Sequence, residues 1–200
     1  MNQKTSSKAL EIMDLARLLI ANGGYNGFSY ADISKTLGVT NASIHYHFSA
    51  KADLVKAVVL QYRENGRETL ARVLAENDDP VALLRMFVDH WQRCLREGPL
   101  PFCICVMLAS EMALLPDYVA DEVQGHFDDL SSWLTEVVTR GDNAGLLTLQ
   151  ATPLQEARIL MTVVHGALIS ARAARNPDLY GEIVMPALER LLVKAPVTRH

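Results

Sequence analysis

Apolar side chains recur three and four positions apart along nearly the whole chain, and no stretch alternates apolar with polar residues as a half-buried strand would. The pattern predicts helix after helix. Over residues 6–22, Leu10, Met13, Ala16 and Ile20 form one stripe, with Leu15 and Leu19 beside it. The glycines of "NGGYNG" break that helix, and Ser29 is placed to cap a short one running to Leu37. Gly38-Val39-Thr40 reads as a tight turn; Thr40 caps a helix from Asn41 to Phe48, and Ser49 is placed to cap a long helix over 51–75. Asp79-Pro80 opens a helix over 80–97 that "EGPLP" closes. A very apolar helix over 102–115 stops before Pro116, and another covers 117–140. Thr152-Pro153 supplies a cap and a first-turn proline for 153–175, Asn176-Pro177 breaks it, and a last helix spans 178–193. The expected fold class is all-α with about nine helices, a three-helix head over 1–50 and a helical body over 51–200.

The second and third helices with their turn make a helix-turn-helix pattern. Ile33, Leu37, Val39, Ile44 and Phe48 can close a small core, since Ile44 and Phe48 lie four apart and share a face. The other face is short and polar: Asn41, Ser43 and His47, with Ala42 and Tyr46 near the edge. A helix that reads base edges needs such donors and acceptors on a face narrow enough for the major groove. The cluster "HYHF" is not expected to hold a metal. His45 and His47 are two apart, so a helix turns them roughly 200° from each other.

The stretch "GYNGFSYADISKTLGVTNASIHYHFSAKADL" resembles the DNA-binding domain of the TetR family of transcriptional regulators, over about 45 residues. The resemblance implies a dimer that binds double-stranded operator DNA and answers to a small-molecule effector. It implies that Ser29 and Tyr30 begin a helix whose N-terminus faces a phosphate. It also implies that Thr40, Asn41, Ala42 and Ser43 approach bases or backbone, that Tyr46 and His47 reach phosphates or bases, and that Lys51 meets a phosphate. His45 stands where the family commonly has a tyrosine, and Phe28 where it has a smaller residue.

Charge sharpens this picture. The net charge of −4 does not mark a nucleic-acid binder. Yet residues 1–56 hold six basic side chains against four acidic, and the remainder thirteen against nineteen. A mildly basic head on an acidic body suits a protein that meets an anion at one end. No apolar run suggests a membrane span, "MNQKTSSK" lacks a signal peptide's apolar stretch, and three cysteines fit a reducing cytoplasm.

Within the body, Leu160, Val164, Ala167, Leu168 and Ala171 form one stripe, with Gly166 adding a small residue, and Val184, Leu188, Leu191 and Leu192 form another. The resemblance implies that these helices pair across a two-fold axis. An effector pocket is expected among Tyr62, Phe87, His90, Trp91, Cys94, Phe102, Cys103, Met107, Glu111, Phe127, Trp133, Met161 and His165. Glu111 and His165 are polar on apolar helices, so each needs a partner: an effector's polar group, or one another. "PFCICVMLASEM" resembles the segment through which some family members sense electrophiles or oxidants, with Cys103 at the matching position at a helix start. His90, Cys94, Cys103 and Cys105 are soft ligand types at a nonstandard spacing, so no metal or cofactor is expected. No nucleophile elbow or phosphate loop is present, and Ser110, Glu111 and His165 alone offer a basis for an enzyme. The expected lever between pocket and head is the helix over 51–75.

Overall fold

The computed structural model describes residues 6–97 and 102–193. Among them are nine α-helices and no strand: α1 (Ser7–Gly23), α2 (Tyr30–Leu37), α3 (Asn41–His47), α4 (Lys51–Glu76), α5 (Pro80–Glu97), α6 (Ile104–Ala109), α7 (Asp117–Asn143), α8 (Pro153–Ala174) and α9 (Asp178–Glu189). The expected stop at "EGPLP" falls mostly on residues 98–101, outside the described residues. Three of the expected caps act where the sequence placed them, whereas at the start of α4 it is the Ala50 N–H, not Ser49, that is tied, donating to Asp53 Oδ2 at 3.0 Å. Ser29 and Asp32 form a reciprocal capping box at α2, Thr40 caps α3, and Thr152 with Gln155 boxes the start of α8 ahead of Pro153.

Two expected helices are shorter than their apolar runs. The one over 102–115 ends at Ala109 and gives way to a 3₁₀ turn at Met112–Leu114. The last ends at Glu189, just after an internal Pro186 that lacks an N–H for the helical ladder. Beyond it the backbone pairs sideways: Thr148 N–H donates to Leu191 O at 2.8 Å, and Val193 N–H donates to Leu146 O at 3.1 Å.

The chain divides into two compact units, Met1–Gly66 with Pro99–Phe127, and Arg67–Gly98 with Asp128–His200. This division does not follow the sequence boundary at residue 50, because α6 and the first part of α7 pack with the head, and α4 contributes to both units. In the first unit, Ala9, Ile12, Met13, Ala16 and Ile20 of α1 are buried along with Phe28, Ile33, Ile44, Phe48, Leu54, Val55 and Leu108. Leu10, expected in the stripe, is exposed; Ala9 and Ile12 take the inward positions.

In the second unit, α5, α8 and α9 pack together. The Tyr180 hydroxyl donates to Val88 O at 3.0 Å, and the Trp133 indole N–H donates to Leu70 O at 3.0 Å. Burial pushes the Tyr180 hydroxyl well above its ordinary pKa. Glu156 is buried and accepts from the N–H groups of Gln150 and Ala151 at 2.8 and 3.0 Å, which satisfies a charge that would otherwise be costly there.

The expected pairing stripes need correction. Leu160, Val164, Ala167, Leu168, Ala171, Val184, Leu188 and Leu191 are all buried within one protomer. They form the seam that joins α8 to α9 and the core beneath it. The outward face of α8 carries Leu154, Ile159, Thr162, Gly166 and Ile169, all exposed. This second apolar face explains why α8 is long and apolar enough, by length and composition, to cross a membrane although part of it is buried in the fold.

Gly38 caps α2 with φ 64°, ψ 31° and sends its N–H back to Ser34 O. A Cβ there would meet nothing within 4 Å. Gly38→Ala therefore costs only the left-handed backbone, and urea unfolding should show a loss of about 1–2 kcal/mol.

Candidate nucleic-acid interface

The turn after α2 aims α3 outward. Thr40 Oγ1 accepts from Ser43 N–H at 3.1 Å, and Phe48 N–H donates to Ile44 O at 2.9 Å, so both ends of this short helix are tied. Ile44 and Phe48 are buried beneath it. On the other side, Thr40, Asn41, Ala42, His45 and Tyr46 are exposed, and Ser43 and His47 are half-buried. Tyr46 is 86% exposed, the furthest out of any large apolar side chain described. Its ring stands edge-on to His47, with centroids 5.0 Å apart. A rigid helix thus offers an amide, a hydroxyl, an imidazole and a phenol on one convex face, which is what a groove-reading element needs.

Other expected contacts are engaged within the head itself. Ser29 is consumed by its own cap: its N–H and its hydroxyl both donate to Asp32 Oδ2 at 2.7 Å. These bonds hold the Asp32 carboxyl below its usual pKa, so the α2 N-terminus already carries an anion. A phosphate placed there would meet that carboxylate. The Tyr30 hydroxyl donates to Phe48 O at 2.9 Å, and burial, aided by Asp53, pushes it up to about 12. The His45 ring packs edge-on against Tyr30 at 4.8 Å, with Nδ1 3.1 Å from Ser49 O. His45 therefore braces the head where a tyrosine was the usual residue.

Lys51 is drawn in as well. Its ammonium donates to Phe28 O and lies over the Tyr25 and Phe28 rings, 4.8 and 4.4 Å from their centroids. Burial lowers its pKa, while Glu111 and Asp32 support its charge. Phe28 thus supplies both a carbonyl and an aromatic face to Lys51, which accounts for a large residue at that position.

The expected pocket residues fall into both units. In the first, Tyr62, Phe102, Cys103, Met107, Glu111 and Phe127 occur. The Tyr62 hydroxyl donates to Cys103 Sγ at 3.6 Å, and the Tyr62 ring lies 5.4 Å from that of His126. Cys103 and Cys105 are fully buried. Burial, followed by the bond with Cys103, pushes the Cys105 thiol well up despite nearby Arg63. Cys103 is the N-cap of α6, whose six residues give it a much shorter dipole than the expected helix over 102–115.

Glu111 is placed differently from the expectation that it faces His165 or an effector. Its carboxylate accepts from Tyr25 N–H, from Asn26 N–H at 3.2 Å and from the Asn26 side chain at 3.1 Å. Ser110 Oγ donates to Met107 O at 2.7 Å. The pair that would start an enzyme's active site is therefore occupied with the backbone. Sequence reasoning missed His126, Arg63 and Gly24. His126 lies beside Phe127 on a helix with ample polar residues, so nothing in its spacing sets it apart.

In the second unit, the Phe87 and Trp133 rings lie 6.2 Å apart, Trp91 and His165 6.5 Å, and Cys94 Sγ is 3.7 Å from His90 Nε2. Met161 is half-buried. The Trp91 indole N–H is buried with no hydrogen-bond partner among the described residues. A separate cleft of about 250 Å³ lies between α8 and the end of α9, lined by Gln150, Glu156, Ile159, Val163 and Arg190 among others, and by none of the expected pocket residues.

A helix-turn-helix head on an all-helical body is the architecture of a DNA-binding transcriptional regulator. Residues 12–58 match the family model for bacterial regulatory proteins of the tetR family, and residues 80–185 match that for the tetracyclin repressor-like C-terminal domain. The chain belongs to the TetR family. A solved TetR-family transcriptional regulator from Agrobacterium tumefaciens is 45% identical, covers 95% of this chain and 100% of its own, and superposes with a TM-score of 0.92. The HTH-type transcriptional repressor NemR of Escherichia coli K12 is 21% identical over 88% of this chain and 90% of its own length. The reduced form of E. coli NemR shares the fold, with a TM-score of 0.80 at 17% identity over 96% of this chain and 100% of its own.

Proposed function

We propose that the chain is a repressor that binds a palindromic operator as a homodimer and is released by a small-molecule effector. Residues 1–50 act as the reading head and 51–200 as the ligand-binding and dimerisation body, in the bacterial cytoplasm and without turnover. The observation that carries the reading is the outward face of α3. Asn41, Ala42 and Tyr46 stand exposed on a helix fixed from beneath, while the head's internal polar bonds are already made. Asn41 and Ser43 suit base edges. Tyr46, His47 and the hydroxyl proton of Thr40 suit phosphates or bases. Ser29, Tyr30, His45 and Lys51 act mainly by holding the head in shape.

Selection from a random duplex pool should enrich an inverted repeat whose half-sites lie about 34–36 Å apart along the DNA. A pool with no enriched sequence would sink the proposal. On the enriched duplex, Asn41→Ala and Tyr46→Ala should each weaken binding about 10–100-fold in a gel shift. Because both residues are exposed, their unfolding free energies should stay within about 0.5 kcal/mol of the parent.

The effector reading draws on the second unit, where the Trp91 indole N–H is buried beside aromatic walls and leaves a donor for an acceptor on the ligand. Cysteine-based sensing at Cys103 is a second reading, favoured by the resemblance of the segment around Cys103 and by the likeness to the solved reduced form of E. coli NemR. The full burial of Cys103 restricts it to small electrophiles or oxidants.

A further inference from the structure

The first unit brings together three soft donors that the sequence holds far apart. Cys103 and Cys105 flank the start of α6, and His126 lies on α7. The ligand atoms of all three lie within 4.8 Å of one another, and Cys103 Sγ is 3.8 Å from His126 Nε2. A cation about 2.3 Å from sulfur and 2.0–2.1 Å from nitrogen, in trigonal or tetrahedral geometry, spans roughly 3.6–3.8 Å between such donors. The observed separation is already that of a ligand pair.

We propose that Cys103, Cys105 and His126 bind a thiophilic closed-shell cation, zinc(II) or copper(I), through two thiolates and the imidazole Nε2. The backbone makes the convergence possible. Cys103 is extended, with φ −68° and ψ 120°, and Cys105 is already helical, so residues two apart turn to one side. Both thiols are fully buried, while His126 is half-exposed and gives the ion a path in. The Tyr62 hydroxyl, donating to Cys103 Sγ, serves as an outer-shell partner that orients a thiolate.

Binding displaces the two thiol protons to solvent, and neither the metal nor the sulfurs change oxidation state. Zinc(II) balances both thiolates and leaves the buried set neutral, with a fourth position open to water. Copper(I) is satisfied by the three donors alone. His90 and Cys94, expected in the same soft set, belong to the other unit and form a separate pair.

The test uses the full-length protein, reduced and stripped with a chelator. It is titrated with zinc(II) against a chromophoric chelator and, without oxygen, with copper(I) against bicinchoninate. One equivalent per protomer is expected for at least one ion, and the stronger of the two names the cation. Cys103→Ser, Cys105→Ser and His126→Ala should each weaken it by more than about tenfold. Cys94→Ser should leave it unchanged. Serine keeps the shape of cysteine, and circular dichroism confirms that each variant is folded. Binding by neither ion, or binding unaffected in folded Cys103→Ser and Cys105→Ser, would overturn the proposal. The readout is independent of DNA, so the site stands or falls apart from the operator reading.

Discussion

Replacing Ile159 and Ile169 together by glutamate should leave each protomer folded and separate the dimer. Both side chains are 53% exposed in the single chain, so their replacement removes little from the core. Between them lie Thr162 and Gly166, and a Cβ on Gly166 would meet nothing within 4 Å inside the protomer. The face is narrow, apolar and floored by a small residue, which lets a second copy of the helix approach closely. In a two-fold contact each substitution occurs twice, so four carboxylates would be forced into one apolar seam. A head that loses its partner also loses the gain from binding two half-sites at once, typically 10²–10⁴-fold in affinity. Sedimentation should show a monomer, circular dichroism an unchanged helix content, and the gel shift a loss of about that size. A double variant that still sediments as a dimer would move the interface elsewhere.

The stripe expected to pair across the two-fold axis shows what periodicity can and cannot say. The stripe from Leu160 to Ala171 was legible as a stripe, and its residues are indeed packed. Spacing alone does not tell whether the facing helix belongs to the same chain or to another. The true outward face was masked because Thr162 and Gly166 dilute it, leaving Ile159 and Ile169 as isolated apolar residues. Capping was legible for a better reason. Ser29, Thr40 and Thr152 act through bonds three residues long, which the sequence contains in full. Pro116 is not what stops the helix expected over 102–115: it ends at Ala109, and the apolar run could not reveal that Ser110 and Glu111 interrupt it.

The exposed face of α3 was legible because the helix is short and its inward residues, Ile44 and Phe48, fix its rotation. The charged and hydroxyl residues around it were harder. Lys51, Tyr30 and Ser29 look like phosphate ligands when only residue type is known. Each has an acceptor within its own unit, at Phe28 O, Phe48 O and Asp32, and only the folded backbone brings those acceptors close. The Cys103–Cys105–His126 grouping was hidden for the same reason, since its third member comes from a helix that begins well after the cysteines.

Glu111→Ala should lower the stability of the first unit by about 3 kcal/mol. Its carboxylate gathers three donors, the N–H groups of Tyr25 and Asn26 and the Asn26 amide, in the loop that ends α1. Bonds to a charged group are worth about 1.5–3 kcal/mol each when buried, and the partial exposure of this carboxylate discounts the three together to about 3 kcal/mol. The seat is shaped for it: Gly24 has φ 73°, and a Cβ there would lie 2.2 Å from Glu111 Oε2. Gly24→Ala should therefore cost a similar amount, through the strained backbone and through displacement of the same carboxylate. Glu111→Gln should recover only part of the loss, because its amide nitrogen would oppose one of the N–H donors. Glu111 stands two residues beyond α6, the helix capped by Cys103, and so joins the cysteine segment to the α1 end of the head. If that joint carries the effector signal, a Glu111→Ala protein kept folded at low temperature should still bind its operator through the intact face of α3. It should no longer let go when the effector is added. Urea unfolding that leaves the midpoint unchanged would show that the joint carries none of the stability, and a variant that releases DNA as the parent does would show that it carries none of the signal.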